Sequence, residues 1–255
     1  MKNIILIPAV VSANNEKKLR NTPLINKIYE YSINSWKHFA KKYDCQVVVL
    51  DEPLMDTNVT SLAWQRYYAL DLLEQSNIKY NQVLIVDADT IVHPNCPNFF
   101  ELTNNKYTGV HDGVVYEWVM RSVECYSKFV FNDYKLNIWT YLNGGFQIFN
   151  ESHKEHINKF KQFYIDNRQG LFEVESKIKL GTDQTPMNFF LQMNHVETTV
   201  LPYEYNMTGL NLSEGLTEDL VYTKLGWVYH FNGIPDTTYG NKVEYYMAKT
   251  YNKLF

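Results

Sequence analysis

Cysteine is scarce in this chain of 255 residues: Cys45, Cys96 and Cys125 are odd in number and none sits in a Cys-x-x-Cys pair. That excludes a disulfide framework and gives no zinc site, so a reduced protein is expected. A large charge of one sign is missing too. The formal balance is −4, which argues against broad non-specific binding to nucleic acid, although a local basic patch is compatible with it. No apolar run approaches the length of a membrane span, and neither internal repeats nor a low-complexity linker is present. The opening residues, Met1 to Pro8, are too short an apolar run for a signal peptide and read as a first strand. The expected location is the cytoplasm, that of a host if the bias toward Asn, Lys, Ile and Tyr marks a phage or viral source. Four Asn-x-Ser/Thr sequons, at Asn58, Asn150, Asn206 and Asn211, are what chance supplies in an asparagine-rich chain and would go unused without secretion.

What is present is an alternation of strand and helix. Residues 4–11 read as a strand and 25–43 as an amphipathic helix, with Ile25, Ile28, Tyr29, Trp36, Phe39, Ala40 and Tyr43 spaced by three and four along a core stripe. A strand over 45–50, a helix over 62–75 and a strand over 82–86 follow. This order predicts an α/β fold with a central, mostly parallel sheet flanked by helices and right-handed crossovers. Beyond it the pattern loosens: strands are expected over 107–110 and 146–149, helices over 151–167 and 183–193. An aromatic-rich, irregular segment over 112–141 contains Tyr116, Trp118, Tyr126, Tyr134, Trp139 and Tyr141. Most of those aromatics are expected in the core, while Tyr116, Trp118, Trp139 and Tyr141 are also candidates for stacking on a sugar or base. One domain is expected for this length.

The densest chemical signal is Val83-Leu84-Ile85-Val86-Asp87-Ala88-Asp89-Thr90. Its four leading residues are apolar without alternation, as in a strand buried on both faces. A strand's period of two would turn Asp87 and Asp89 the same way and Ala88 the other. Ligands in open parallel sheets bind beyond the carboxyl ends of the strands, where these carboxylates fall. Hard divalent ions such as Mn²⁺ or Mg²⁺ take carboxylate oxygens and complete their shell with water and phosphate oxygens. Two acids at a strand end also serve simply as a loop cap, so this motif alone leaves both readings open.

In order along the chain, the motifs resemble those of GT-A (Rossmann-like) glycosyltransferases, particularly glycosyltransferase family eight, the group of glycogenin and the bacterial lipopolysaccharide galactosyltransferases. Pro8, Ala9 and Val10 look like the segment that meets the nucleotide base, and Trp64-Gln65-Arg66 resembles the helix that brings a basic side chain to the donor. Val86-Asp87-Ala88-Asp89-Thr90 is close to the metal motif. Leu142-Asn143-Gly144-Gly145-Phe146 is similar to the Asn-x-Gly segment, Thr182-Asp183-Gln184 to the Asp-Gln pair, and Tyr229-His230-Phe231-Asn232-Gly233 to the terminal His-x-x-Gly. The resemblance implies a single GT-A domain over 1–255, with a nucleotide-sugar-binding half over 1–110 and an acceptor-binding half over 111–255. It also implies Asp87, Asp89 and His230 as metal ligands, and Asn143, Asp183 and Gln184 in the catalytic centre. Pro8, Ala9, Val10, Arg66, Ala88, Gly144, Gly145 and Gly233 would then contact the donor.

Each segment also has a local reading. His230 alone follows an apolar strand, as a core histidine would; beside two aspartates a neutral imidazole suits a third ligand position. Asn143-Gly144-Gly145 permits close approach or a tight turn before a strand. Asp183 sits where an N-cap would. Arg66 reads as a solvated helical arginine, or as a charge-assisted partner for phosphate or a carboxylate. The chain departs from the family after Gly233: Ile234-Pro235-Asp236 stands where a diphosphate-binding lysine is usual, leaving Lys242 or Arg66 to compensate or the metal alone to hold the diphosphate.

The expected reaction is transfer of a hexose from a nucleotide diphosphate sugar, a UDP-sugar in the first instance, to an acceptor hydroxyl. The resemblance implies retention; an inverting enzyme would need a base, for which Asp183 is the candidate. The acceptor is open among a glycan, a lipid-linked sugar, a protein and a modified nucleobase, and oligomeric state is not legible. One alternative is a haloacid-dehalogenase-like phosphatase, whose motif wants threonine at the position held by Ile91. The other is a non-catalytic sugar-nucleotide-binding module.

Overall fold

The computed structural model describes residues 1–10, 29–178, 181–210, 219–234 and 242–255. In chain order the elements are β1 (Lys2–Pro8), α1 (Glu30–Lys42), β2 (Gln46–Leu50), α2 (Leu62–Gln65), α3 (Ala69–Gln75), β3 (Tyr80–Val86), β4 (Thr90–Val92), β5 (Tyr107–His111), α4 (Tyr116–Phe129), β6 (Leu142–Phe149), α5 (Lys154–Ile178), α6 (Gln184–Met193), β7 (Thr198–Leu201), β8 (Val228–His230) and α7 (Lys242–Leu254). The fold is α/β, and its strand pairs are mostly parallel. No helix among the described residues is long and apolar enough to cross a membrane.

Two compact, interleaved units make up the chain. Unit 1 is Met1–Pro53, Tyr80–Leu102 and Pro202–Phe255, and unit 2 is Leu54–Lys79 and Thr103–Leu201. Unit 1 carries β2, β1 and β3 side by side and parallel. Ile4 to Ile7 and Val83 to Val86 are fully buried, as their unbroken apolar runs require of a strand covered on both faces. Because the strands are parallel, Pro8 and Asp87 emerge at the same edge. Ala9 continues there, its N–H donating to Leu50 O at 2.7 Å. The helix expected over 25–43 appears as α1, and residues 25–28 lie outside the described residues. Its buried face holds Trp36, Phe39 and Ala40 together with Ser32 and Ser35, two polar positions the apolar spacing did not single out. The antiparallel pair β4 and β8 sets Thr90 opposite His230, above a core of Ile91, Met207, Tyr222, Tyr229, Phe231 and Met247.

Unit 2 has β5 at the centre of its strands, antiparallel to β6 and parallel to β7. Three expectations change here. The helix foreseen over 62–75 is broken into α2 and α3 by a tighter 3₁₀ turn at Arg66–Tyr68, which redirects the side chains that follow Gln65. The irregular segment over 112–141 contains the full helix α4, whose buried positions Val119, Ser122, Val123 and Tyr126 keep helical spacing that its polar members obscure. The strand foreseen from Phe146 begins at Leu142, and all eight residues of β6 are buried. Asn143-Gly144-Gly145 is therefore strand interior and not a turn before a strand.

Candidate functional site

Unit 1 brings Asp87, Asp89 and His230 together. Asp87 and Asp89 follow the last residue of β3 and lie in the turn to β4, so turn geometry and not strand alternation makes them converge. Thr90 closes that turn by donating from Oγ1 to Asp87 O at 2.7 Å, a local side-chain to backbone bond of the kind that competes with regular structure. Thr90 Oγ1 in turn accepts from Trp36 Nε1 at 2.9 Å, and Ser35 Oγ accepts from Val92 N–H at 3.2 Å. The buried polar face of α1 thus holds the turn. Phe231 N–H donates to Asp89 O at 2.9 Å and His230 N–H to Met207 O at 3.0 Å, tying the end of β8 to the same place.

The result is that His230 Nε2 lies 3.6 Å from Asp87 Oδ2 and 3.2 Å from Asp89 Oδ1. One ligand atom from each of the three falls within 4.8 Å of the others, and this is the one such cluster among the described residues. His230 is 3 % exposed in its side chain while Asp87 and Asp89 keep 28 % and 27 %, so the carboxylates face a solvent-open side. Two carboxylates and a buried imidazole are a donor set suited to a divalent ion of the Mn²⁺ or Mg²⁺ type, which retains positions for outside oxygen ligands. Ala88 is buried and separates the two acids without adding a ligand.

Tyr29, expected in the core stripe, packs partly buried against the unit 1 core. Burial first, then the charges of Asp89 and Asp87, push its phenol up to about 12. Gly233 adopts φ of 65°, a left-handed turn that favours glycine. Val10 is partly buried beyond β1. Pro235, Asp236 and the side chain of Lys242 lie outside the described residues.

Unit 2 gathers the remaining motif residues around Asp183. This residue occupies the N-cap position of α6 without a side-chain capping bond. Its carboxylate turns instead to Tyr67, whose hydroxyl donates to Oδ2 at 3.2 Å, and to Arg66, whose Nε lies 3.5 Å from the same oxygen. Arg66 is not solvated: its side chain is 12 % exposed against 6 % for Asp183, and Nη1 donates to Gly144 O at 2.6 Å. Gln147 Nε2 also donates to Gly144 O at 2.6 Å and approaches Tyr67 OH at 3.3 Å, while Tyr107 donates its hydroxyl to Gln147 Oε1. Burial first, then the Asp183 charge, raise both Tyr67 and Tyr107, so these phenols act as neutral donors.

Gln184 forms the other half of this network. Its Oε1 accepts from Gly144 N–H at 2.8 Å and from Asn143 Nδ2 at 3.3 Å, and its Nε2 donates to Asp112 Oδ2 at 2.8 Å. Asn143 Nδ2 also reaches Asp112 Oδ2 at 3.0 Å, and its Oδ1 accepts from Gly145 N–H at 2.8 Å. A Cβ on Gly144 would lie 3.1 Å from Gln184 Cβ, so a residue without a side chain lets α6 close on β6. Gly181, at φ of 71°, is more constrained: a Cβ there would meet Ser122 Oγ at 2.3 Å and Thr185 Oγ1 at 2.4 Å. Those hydroxyls bond to each other, and Thr185 bonds to Tyr141 OH, at 2.6 Å each.

Tyr67, Gln147, Tyr107, Asp112 and Thr185 were not among the candidate site residues of the sequence. One signal was available: Gln147 interrupts the apolar run Phe146 to Phe149, and a buried amide needs partners. Among the aromatics with two readings, Tyr141 is fully buried, whereas Trp139 is 71 % and Tyr116 48 % exposed. At the position where a phosphatase would need threonine, Ile91 is fully buried in the unit 1 core.

No protein-family model matches the chain, and no curated protein is similar to it in sequence. Solved structures are similar in fold. A glycosyltransferase involved in the glycosylation of the major capsid of PBCV-1 superposes with a TM-score of 0.61 at 9 % identity, over 98 % of this chain and 100 % of that one. Mouse xyloside xylosyltransferase 1 in its apo form gives 0.47 at 12 % identity over 92 % and 100 % of the two chains. GlyE of Streptococcus pneumoniae TIGR4 gives 0.47 at 12 % over 99 % and 63 %. The first of these extends over both chains almost completely, so this chain shares the fold of that glycosyltransferase.

Proposed function

We propose that this chain is a metal-dependent glycosyltransferase of the family-eight type, a single GT-A domain that moves a hexose from a nucleotide diphosphate sugar, a UDP-sugar, to an acceptor hydroxyl. The observation that carries the reading is the Asp87, Asp89 and His230 donor set at the carboxyl end of β3 in a fold of the glycosyltransferase kind. When bound, a Mn²⁺ or Mg²⁺ ion supplies Lewis-acid stabilisation of the departing nucleoside diphosphate. Asp87 and Asp89 offer it oxygen, His230 offers Nε2, and the Thr90 and Trp36 bonds keep the turn from relaxing. Pro8, Ala9 and Val10, at the same sheet edge as Asp87, border the base of the donor, and Gly233 lets the chain turn after His230.

Asp183, Gln184 and Asn143 position the sugar and the acceptor, backed by Gly144 and Gly145. Arg66 serves this group through Asp183 and Gly144 O, which supports a role in holding a sugar-binding carboxylate over one as a phosphate ligand. Asp183 is 4 % exposed with Oδ2 engaged by Tyr67 and Arg66. A carboxylate so enclosed favours positioning over proton abstraction from an acceptor, in keeping with retention. Fixed geometry of this kind accounts for much of the rate in group transfer.

The direct test is release of UDP from a panel of UDP-sugars with Mn²⁺ and with EDTA. Slow release with Mn²⁺ that stops in EDTA supports the proposal. Phosphate release from simple esters in its place would make the chain a phosphatase, and nucleotide binding without either would make it a binding module.

A further inference from the structure

We infer that Trp139 and Tyr116 form a stacking platform for a sugar ring of the acceptor, so that the second substrate is a carbohydrate. The inference rests on the glycosyltransferase reading for its use, but its own evidence is separate. Trp139 is 71 % exposed and Tyr116 48 %, their rings 6.4 Å apart between centroids and inclined by 34°. An aromatic pair that open on a mobile loop would be unremarked; here the turn is pinned. Asn137 Oδ1 accepts from Trp139 N–H at 3.1 Å, and Gln192 of α6 bonds Asn137 N–H and O at 2.8 Å each and Thr140 Oγ1 at 3.1 Å. The turn that carries the indole is fixed by these bonds, which cuts the ordering cost of binding.

Position argues for the occupant. Tyr116 lies four residues past Asp112, and Trp139 four before Asn143, and Asp112 Oδ2 accepts from Asn143 and Gln184. Asp112 N–H also donates to Tyr141 O at 2.9 Å. The two chain segments that carry the rings therefore carry the carboxylate and amides of the Gln184 network as well. Apolar faces carried on the same two segments as a few fixed polar groups, segments joined by Asp112 N–H to Tyr141 O and by His111 Nε2 to Ile138 O, match a pyranose, which offers a C–H face and a hydroxyl edge. A nucleic-acid acceptor suits the place less: Asp112 opposes phosphate, Glu117 is already paired with Arg121 at 3.1 Å, and the inclined rings do not form a flat slot.

The test is binding of the whole protein to a printed array of defined neutral oligosaccharides, with single-stranded oligonucleotides spotted alongside. The wild type is expected to bind a subset of glycans, Trp139→Ala to lose about tenfold or more in affinity for them, and Trp139→Phe to retain most of it. Tyr116→Ala guards against a folding artefact in the first variant and is expected to weaken the same glycans. Absence of glycan binding by the wild type, equal binding by Trp139→Ala, or preference for the oligonucleotides overturns the inference. Mn²⁺-dependent UDP release by the wild type, measured in parallel without acceptor, reports on the function alone. Its absence beside Trp139-dependent glycan binding sinks the transferase and leaves the platform.

Discussion

Asp89 and Asp183 are carboxylates of the same motif set placed in opposite surroundings. In unit 1, Asp89 stands with a second carboxylate, Asp87, around one imidazole, each acid about a quarter exposed. In unit 2, Asp183 is a single carboxylate, 6 % exposed in its side chain, met by a guanidinium and a phenol. Like charges drawn together at an open edge favour a cation from outside. A buried acid matched by donors of its own unit has its compensation already built in. The difference separates a site that awaits a cation from one whose charge is already balanced by its own side chains.

The comparison breaks first at Asp89. Asp89→Asn is expected to lower Mn²⁺-dependent donor turnover by about 100-fold or more, since losing a mere outer partner of a metal ligand already costs up to about 100-fold. Its metal-free stability should stay within about 0.5 kcal/mol of wild type. Thermal melts with Mn²⁺ should rise for the wild type and stay flat for the variant, since a ligand of the native state adds about 2.7 kcal/mol at a hundred times its Kd. Wild-type turnover in the variant would remove the metal assignment.

Arg66→Ala should do the reverse, with its main effect on the fold. It takes the guanidinium away from buried Asp183, whose Tyr67 and Thr182 bonds are between neutral hydroxyls and the charge, a loss of about 3–5 kcal/mol by urea denaturation. A change as small as that at Asp89 would show that the two acids are not so different. Tyr67→Phe comes next, at about 1–3 kcal/mol, because it takes the hydroxyl from both Asp183 and Gln147.

The smallest effect is read in alkali. Tyr67, Tyr107 and Tyr141 in unit 2 are held above the ordinary value of 10.0, chiefly by burial, and Tyr29 in unit 1 is raised to about 12. The unfolded phenols ionise first, so their contribution to stability is complete below pH 10 and is lost as pH rises above it. Tyrosinate absorbance should show Tyr29 and Tyr222 of unit 1 titrating near pH 12 and the unit 2 group only on unfolding. Tyr67→Phe should remove one of the late-titrating phenols, and an unchanged late fraction would refute its placement.

How far the sequence led differs between the two regions as well. Val83 to Asp89 was legible because an apolar run and two acids are local facts, yet the manner of their convergence was not. Period-two alternation pointed Asp87 and Asp89 the same way, whereas a turn closed by Thr90 and held from α1 does so in the fold. Ser35 and Trp36 supply that hold, and nothing within a few residues of them marks it. In unit 2, Asn143-Gly144-Gly145 and Asp183-Gln184 stood out as motifs, but the strand running through both glycines and the Tyr67 and Gln147 bonds to their neighbours did not. Tyrosine and glutamine at such positions look like ordinary core or surface until their partners are known.

The order of strands and helices, the apolar cover of β1 and β3 and the identity of the acids follow from residue types and short spacings, because those depend on neighbours a few positions away. Which atoms meet was left to the tertiary structure. His230 reaches Asp87 and Asp89 through the pairing of β4 with β8, and Arg66 reaches Asp183 through the 3₁₀ turn that breaks its helix. Trp139 sits on a turn that Gln192 of a later helix holds. Each is a contact across a long stretch of chain, set by packing, which no local period encodes.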